Sequence, residues 1–250
     1  MKWLTDVIAW LGDSSHWSGT NGAAELLGQH AYLSVVSLLV AAVIVLPLGL
    51  WLGHIGKGGL LALNIGNIGR AVPTFAILVL LTLAPAPFGS SQLTVITSLV
   101  LFAIPPILTN TYVGVREVDR AAVDAATGMG MSGWEVLRRV ELPLAAPMIM
   151  QGLRIGAVQV VATATIAALV GAGGLGRLIT QGFSRQDQPM LLSGAVLVAA
   201  LALVVEGIFE VLQRTATPAG SRRGRGGRRR RSPVDTPAEA SPARDVSVSA

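Results

Sequence analysis

The sequence predicts an all-α integral membrane protein with about five transmembrane helices. A sixth follows if the long 144–170 stretch divides or the amino-terminal segment inserts. Three observations lead there. Of 250 residues, 52% are hydrophobic and only 13% charged, with a mean hydropathy of +0.61, a balance typical of membrane chains rather than soluble cores. Several apolar stretches reach the length of about 20 residues that crosses a hydrocarbon layer. Most of the charge is confined to one hinge, about 116–143, and to the carboxy-terminal tail.

Residues 1–30 read as a segment outside the membrane. Trp3 and Trp10 are seven apart and share a face if 2–11 is helical, which predicts an interfacial helix anchored by indoles; a frayed end is the alternative. Asp6 interrupts the early apolar run and no small-residue cleavage site follows, so this start is not read as a cleaved leader. The transmembrane domain is placed at 31–213. Its spans fall at about 31–53, 58–84, 91–112, 144–170 and 190–213. The second is interrupted by Asn64, Asn67, Arg70 and Pro73 and is expected to kink or break. Asn110, Thr111 and Tyr112 close the third. In the fourth, Gly152, Gly156, Ala157, Ala164, Ala167 and Ala168 suit close helix contact in lipid.

Basic residues near span ends set the orientation. With five spans, Lys57, Arg116, Arg120, Arg138, Arg139, Arg214 and the tail arginines share one side, against Lys2, Arg177 and Arg185 on the other. This predicts a cytoplasmic hinge and carboxy terminus, with the amino terminus and the 171–189 loop outside. The tail, 214–250, holds Arg222, Arg223, Arg225 and Arg228 to Arg231 followed by Pro-, Ser- and Ala-rich sequence. It is expected to be disordered. Its arginines suit anionic membrane lipid at about 1 kcal/mol each near the surface, or simply fix topology. No aromatics are interleaved for base stacking, so nucleic acid is not an expected partner. Cysteine is absent, which removes disulfides and thiolate chemistry.

The hinge is the most informative stretch. Asp119 is placed to cap a helix through Ala121 to Ala126. Gly128 and Gly130 break it. Ser132 and Glu135 form an S-x-x-E capping box that starts a second helix. Leu137 and Val140 give that helix an apolar side, Arg138 and Arg139 sit in its last turns as the helix dipole prefers, and Pro143 is expected to end it and open the next span. The result is a helix–turn–helix knob; an ordinary loop is the bland alternative.

Polar residues inside spans are the other informative set, since a charge at mid-bilayer costs about 2.5–3.5 kcal/mol. Arg70 lies about 18 Å into the second span at about 1.5 Å per residue. Gln151, Arg154 and Gln159 lie in the fourth span, and Glu206 and Glu210 in the fifth. Arg154 and Glu206 fall at similar depth and are expected to pair, with separate partners or snorkelling as the alternative. Thr163 and Thr165 point to different sides, one toward a pathway and one into packing or its own helix. Gly171, Gly173, Gly174 and Gly176 fit the spacing of a dinucleotide fingerprint. However, a span-length apolar segment precedes them and the nearest acid, Asp187, comes too soon. They are read as tight turns instead.

The hinge resembles the "EAA" coupling motif of ATP-binding-cassette importer permeases, EAA-x3-G-x9-I-x-LP. Asp124-Ala125-Ala126, Gly130, Val140 and Leu142-Pro143 fall on it with full spacing, with Asp124 in place of Glu and Val140 in place of Ile. Asn110-Thr111-Tyr112-x-Gly114, Gly128-Met129-Gly130-Met131, Val140-Glu141-Leu142-Pro143-Leu144, Ala162-Thr163-Ala164-Thr165 and the 171–176 glycines are similar to the osmoprotectant branch (glycine betaine, carnitine, choline). The likeness covers roughly 25–213. Arg70-Ala71-Val72-Pro73-Thr74 departs from that branch's Gln-Thr-x-Pro-Ser-like segment.

The resemblance implies the type I importer permease fold in a bacterial cell membrane. Asp124, Ala125, Ala126, Gly130, Val140, Leu142 and Pro143 would couple to a separate ATPase subunit, which alone binds ATP, so the chain itself needs no cofactor and is not an enzyme. It further implies an extracytoplasmic solute-binding protein and a second permease copy or paralogue. Asn110, Tyr112, Thr163, Thr165, Gly171, Gly173, Gly174 and Gly176 become pathway or gate candidates. Within the class, a permease for methionine or another amino acid is the alternative. An intramembrane enzyme would need a convergent catalytic or metal set, and His16, His30 and His54 lie outside spans or at their ends. A non-transporting scaffold is the remaining class.

Overall fold

The structure is a computed structural model that describes residues 2–89 and 92–216. These fall in one compact unit, and all their regular structure is helical. The arginine run and the rest of the tail from residue 217 on lie outside the described residues.

Among the described residues, four helices are long and apolar enough to cross a membrane. They are α2 (Ala23–Ile55), α5 (Gln92–Arg116), a helix over Gly133–Val170 and α10 (Gln188–Ala216). The expected break in the remaining span is present. Two short helices, α3 (Gly59–Ala71) and α4 (Thr74–Thr82), meet at Pro73, which occupies the N-cap of α4. Proline lacks the N–H and its ring disfavours a helical turn before it, so the chain must restart there. At about 1.5 Å per residue neither half alone covers the roughly 30 Å hydrocarbon layer.

Neither condition for a sixth span is met. The preceding helix, α1 (Lys2–Gly12), has 11 residues and is too short to cross. The 133–170 region is one rod: α7 (Gly133–Val136), a π turn at Leu137–Glu141, α8 (Leu142–Ala164) and a 3-10 stretch at Thr165–Val170. Two further helices, α6 (Arg120–Gly128) and α9 (Gly176–Arg185), lie between the long ones.

The paired indole anchor of α1 is corrected. Trp3 is exposed, but Trp10 is only 8% exposed and packs with Ala23, Leu26, Leu175 and Leu178. The cause is the turn that follows. Asp13 accepts from the Ser15 N–H at 2.8 Å, which holds its carboxyl below the usual carboxylate range. The chain then doubles back, and His16 stacks on Trp10 at a centroid distance of 4.4 Å.

The main core lies where α2, α5 and α8 meet, around Leu33, Val45, Leu99, Ile107, Leu108 and Val160. Lipid supplies no hydrophobic force between spans, so close backbone approach and dispersion must hold them. Gly152 shows this: a Cβ there would sit 2.7 Å from the Asn110 Cβ. Ala157, Ala164 and Ala167 are buried on the same helix, as their spacing predicts, and Ala168 is half-buried.

Candidate functional site

The knob forms where the hinge residues place it. Asp119 accepts from the Ala121 N–H at 3.0 Å and caps α6. The helix closes with paired reversals: the Met131 N–H donates to the Ala126 carbonyl at 3.2 Å and the Gly130 N–H to the Thr127 carbonyl at 2.9 Å. This Schellman closure needs a left-handed residue at Gly130, whose φ is +86°. Gly128 is the last helical residue rather than the turn itself. The capping box is present, with the Ser132 N–H donating to Glu135 Oε2 at 3.0 Å.

Pro143 lies in the first turn of α8, as expected, but it does not end the helix before it, because α7 runs on through the π turn that holds Arg138 and Arg139 into α8. The expected ending is corrected by the π turn, in which the Leu142 N–H reaches back to the Leu137 carbonyl. In a regular α-helix the Pro143 ring would strike the carbonyl four residues before it. The widened turn just upstream makes room, and the helix runs on into α8. Arg139 instead pairs with Glu135 one turn back at 3.6 Å.

Of the coupling candidates, Asp124, Ala125, Gly130 and Pro143 are exposed, Val140 and Leu142 half-buried and Ala126 buried. Beside them Met129 and Trp134 are 73% and 69% exposed. Trp134, Glu135, Arg138 and Arg139 line a cleft of about 400 Å³. Beneath the knob, Val115, Val118, Ala145 and Ile149 form a small core with Leu46, Leu50 and Val123. Glu141, in the π turn, is 3% exposed, and His54 Nδ1 of α2 lies 2.6 Å from its Oε2. Sequence reading missed this pair. The available signal was a carboxylate amid apolar residues just before a span, which demands a partner.

The glycine-rich segment is a turn fastened to α2. Gly171, Gly173 and Gly174 have φ of +81°, +83° and +78°. The Gly174 N–H donates to Gln29 Oε1 at 3.1 Å, and Arg177 Nη1 donates to Asn21 Oδ1 at 2.7 Å. Gly173, Gly174 and Gly176 are buried and Gly171 is exposed. His30 lies inside α2 rather than at a span end. It is fully buried, with Nε2 2.9 Å from the Val161 carbonyl at the end of α8.

The other pathway candidates are dispersed. Asn110 Nδ2 donates to the Pro106 carbonyl at 2.8 Å, and Tyr112 is buried with its hydroxyl against Gly59. Thr163 lines a small crevice with Thr74, Leu78, Ser98 and Ile166. Thr165 is not among the residues lining that crevice, and its buried hydroxyl has no partner among the described residues. Arg154 and Glu206 are brought together, and Gln213 joins them through Arg154 Nη1 at 3.4 Å. Arg154 and Glu206, with Gln151, Gln159 and Ala162, border a cleft of about 510 Å³. The Arg70 side chain lies outside the described residues.

A family model described as "Binding-protein-dependent transport system inner membrane component" matches residues 45–217. The chain is 35% identical over 204 residues to the glycine betaine/carnitine/choline transport system permease protein OpuCB of Bacillus subtilis, covering 80% of this chain and 92% of that protein. It is 35% identical over 206 residues to the B. subtilis choline transport system permease protein OpuBB, covering 82% and 94%. Identity is 32% over 222 residues to the osmoprotectant import permease protein OsmW of Salmonella typhimurium, covering 84% and 100%. Among solved structures, the inward-facing MetNI methionine ABC transporter aligns at a TM-score of 0.68 and 24% identity, covering 78% of this chain and 96% of that one. An amino acid ABC transporter crystallised with histidines aligns at 0.57 and 16%, covering 86% and 94%. At these identities the structural likeness is one of fold, that of ABC importer permeases.

Proposed function

The chain belongs to the family of binding-protein-dependent transport system inner membrane components, and on that premise we propose that it is the membrane subunit of an ATP-driven importer of osmoprotectants. The observation that carries this reading is the 32–35% identity, over four-fifths or more of the chain, to permeases named for glycine betaine, carnitine, choline and osmoprotectants. The knob supports it independently. A capped helix, a left-handed glycine and a second capped helix present Asp124 and Ala125 outward.

On this reading the knob at 116–143 faces the cytoplasm and docks on a separate ATPase subunit, which binds the nucleotide. Exposed Met129 and Trp134 would lie in that interface, where a large apolar side chain needs a partner. Solute arrives from an extracytoplasmic binding protein, and a second permease subunit completes the pathway. Closure of the ATPases rocks the helices between inward- and outward-facing states.

The test is uptake of radiolabelled glycine betaine by proteoliposomes holding this chain with its co-expressed ATPase and binding protein. ATP-dependent uptake that unlabelled choline or carnitine competes away, and methionine does not, is the expected result. Uptake competed by methionine alone would overturn the solute class. Asp124→Lys and Gly130→Val should abolish uptake with membrane insertion intact; normal uptake in both would overturn the coupling role.

A further inference from the structure

The chain fastens α2 at both ends to the rod and turn spanning 133–174. At one end, buried Glu141 in the π turn meets His54 at 2.6 Å. At the other, Gln29 accepts from the Gly174 N–H at 3.1 Å, and His30 lies 2.9 Å from the Val161 carbonyl. His30 and His54 are 24 residues apart on one helix, which at about 1.5 Å per residue is roughly 36 Å. These are the long-range polar contacts of α2 that bear on the knob and on the glycine-rich turn.

We propose that His54 and Glu141 are positioning residues for coupling: their contact delivers movement of the knob into α2, and α2 carries it to the glycine-rich turn. This rests on the importer reading above. Two features support it. Glu141 is buried, and a buried acidic side chain needs a hydrogen-bond partner, which His54 supplies. His54 also lies close to Gly133, the first residue of α7, where an added Cβ would stand 3.2 Å from Nε2, so the imidazole adjoins both the second arm of the knob and the π turn that follows it.

The test uses the full complex in proteoliposomes, with ATP hydrolysed per glycine betaine imported as the main readout. The chain has no cysteine, so maleimide labelling of Leu169→Cys, at an exposed position beside the glycine-rich turn, gives a second readout that needs no solute. Glu141→Leu and His54→Leu should each raise the ATP-to-solute ratio at least about fivefold. The double variant should be no worse than either single one. ATP should cease to change the labelling of Leu169→Cys, and His54→Gln, which keeps a donor, should stay near wild type. The ratio is taken on assembled complexes only, so lower yield does not mimic the effect. A wild-type ratio and labelling response in the leucine variants would overturn the proposal. A wild-type complex that neither imports betaine nor changes labelling with ATP would overturn the importer reading instead, and this inference with it.

Discussion

Arg154 Nε lies 2.8 Å from Glu206 Oε1, joining α8 to α10 across 52 residues of sequence. The same guanidinium reaches Gln213, whose own amide donates to the Pro147 carbonyl at 3.2 Å. Toward its start α10 packs through Met190, Leu197, Val198 and Leu201 against the Trp10–Leu178 cluster, but from Leu201 on, where Glu206 lies, its described side chains are exposed or half-buried. A charge-assisted pair is therefore the natural fastener, since its alternative in lipid is two unsatisfied charges.

Charge exchange tests that fastener. Arg154→Glu and Glu206→Arg should each reduce the yield of monodisperse protein in detergent by well over half. The double exchange should recover most of it. Size-exclusion chromatography of the three variants is the measurement, and a double variant no better than the singles would show that the contact does not hold the helices in register.

The glycine-rich turn makes a paired prediction. A Cβ on Gly176 would collide with the Thr165 carbonyl, a backbone atom that cannot swing aside, whereas one on Gly171 meets nothing within 4 Å. Gly171→Ala carries only left-handed strain, about 1–2 kcal/mol. Gly176→Ala should cost more than about 3 kcal/mol, because overpacking against a backbone is not relieved by a rotamer change. Thermal unfolding of the purified variants should rank them in that order.

Trp134 should be an interface anchor. It is 69% exposed on a polar knob and lies beside Arg138 and Arg139. Trp134→Ala should leave the fold intact and weaken binding of the ATPase subunit by about 2 kcal/mol, roughly 30-fold. Titration of the detergent-solubilised chain with that subunit reads it directly.

The capping box gives a local prediction. Ser132→Ala removes the N-cap of α7, at a cost of about 1 kcal/mol. Amide hydrogen exchange at 133–136 should accelerate roughly fivefold while exchange in α2 and α5 stays unchanged.

Several features were legible because their causes lie within a few residues. The break at Pro73, the cap at Asp119, the turn at Gly130 and the Ser132–Glu135 box each follow from side chains adjacent to the backbone they control. The helix expected to end at Pro143 shows the limit of such reasoning. Proline forbids one hydrogen bond, but a π turn upstream satisfies that rule without a break. Trp10 shows another limit. Its spacing from Trp3 fits an interfacial helix, yet the turn at Ser14–His16 and the packing of Leu175 and Leu178 make it a core residue.

The sequence by itself determined which stretches are long and apolar enough to cross a membrane, where the chain turns and that a polar knob stands between two of those stretches, because apolar length, capping and glycine φ are local properties. Only the tertiary structure decided which of the scattered polar residues meet. His54 finds Glu141 87 residues away, His30 finds the carbonyl of Val161 131 residues away, and Gln29 finds Gly174 145 residues away. Such pairs are fixed by how α2, α5 and α8 cross. That crossing depends on which small residues let backbones approach, a joint property of three helices that no single segment carries.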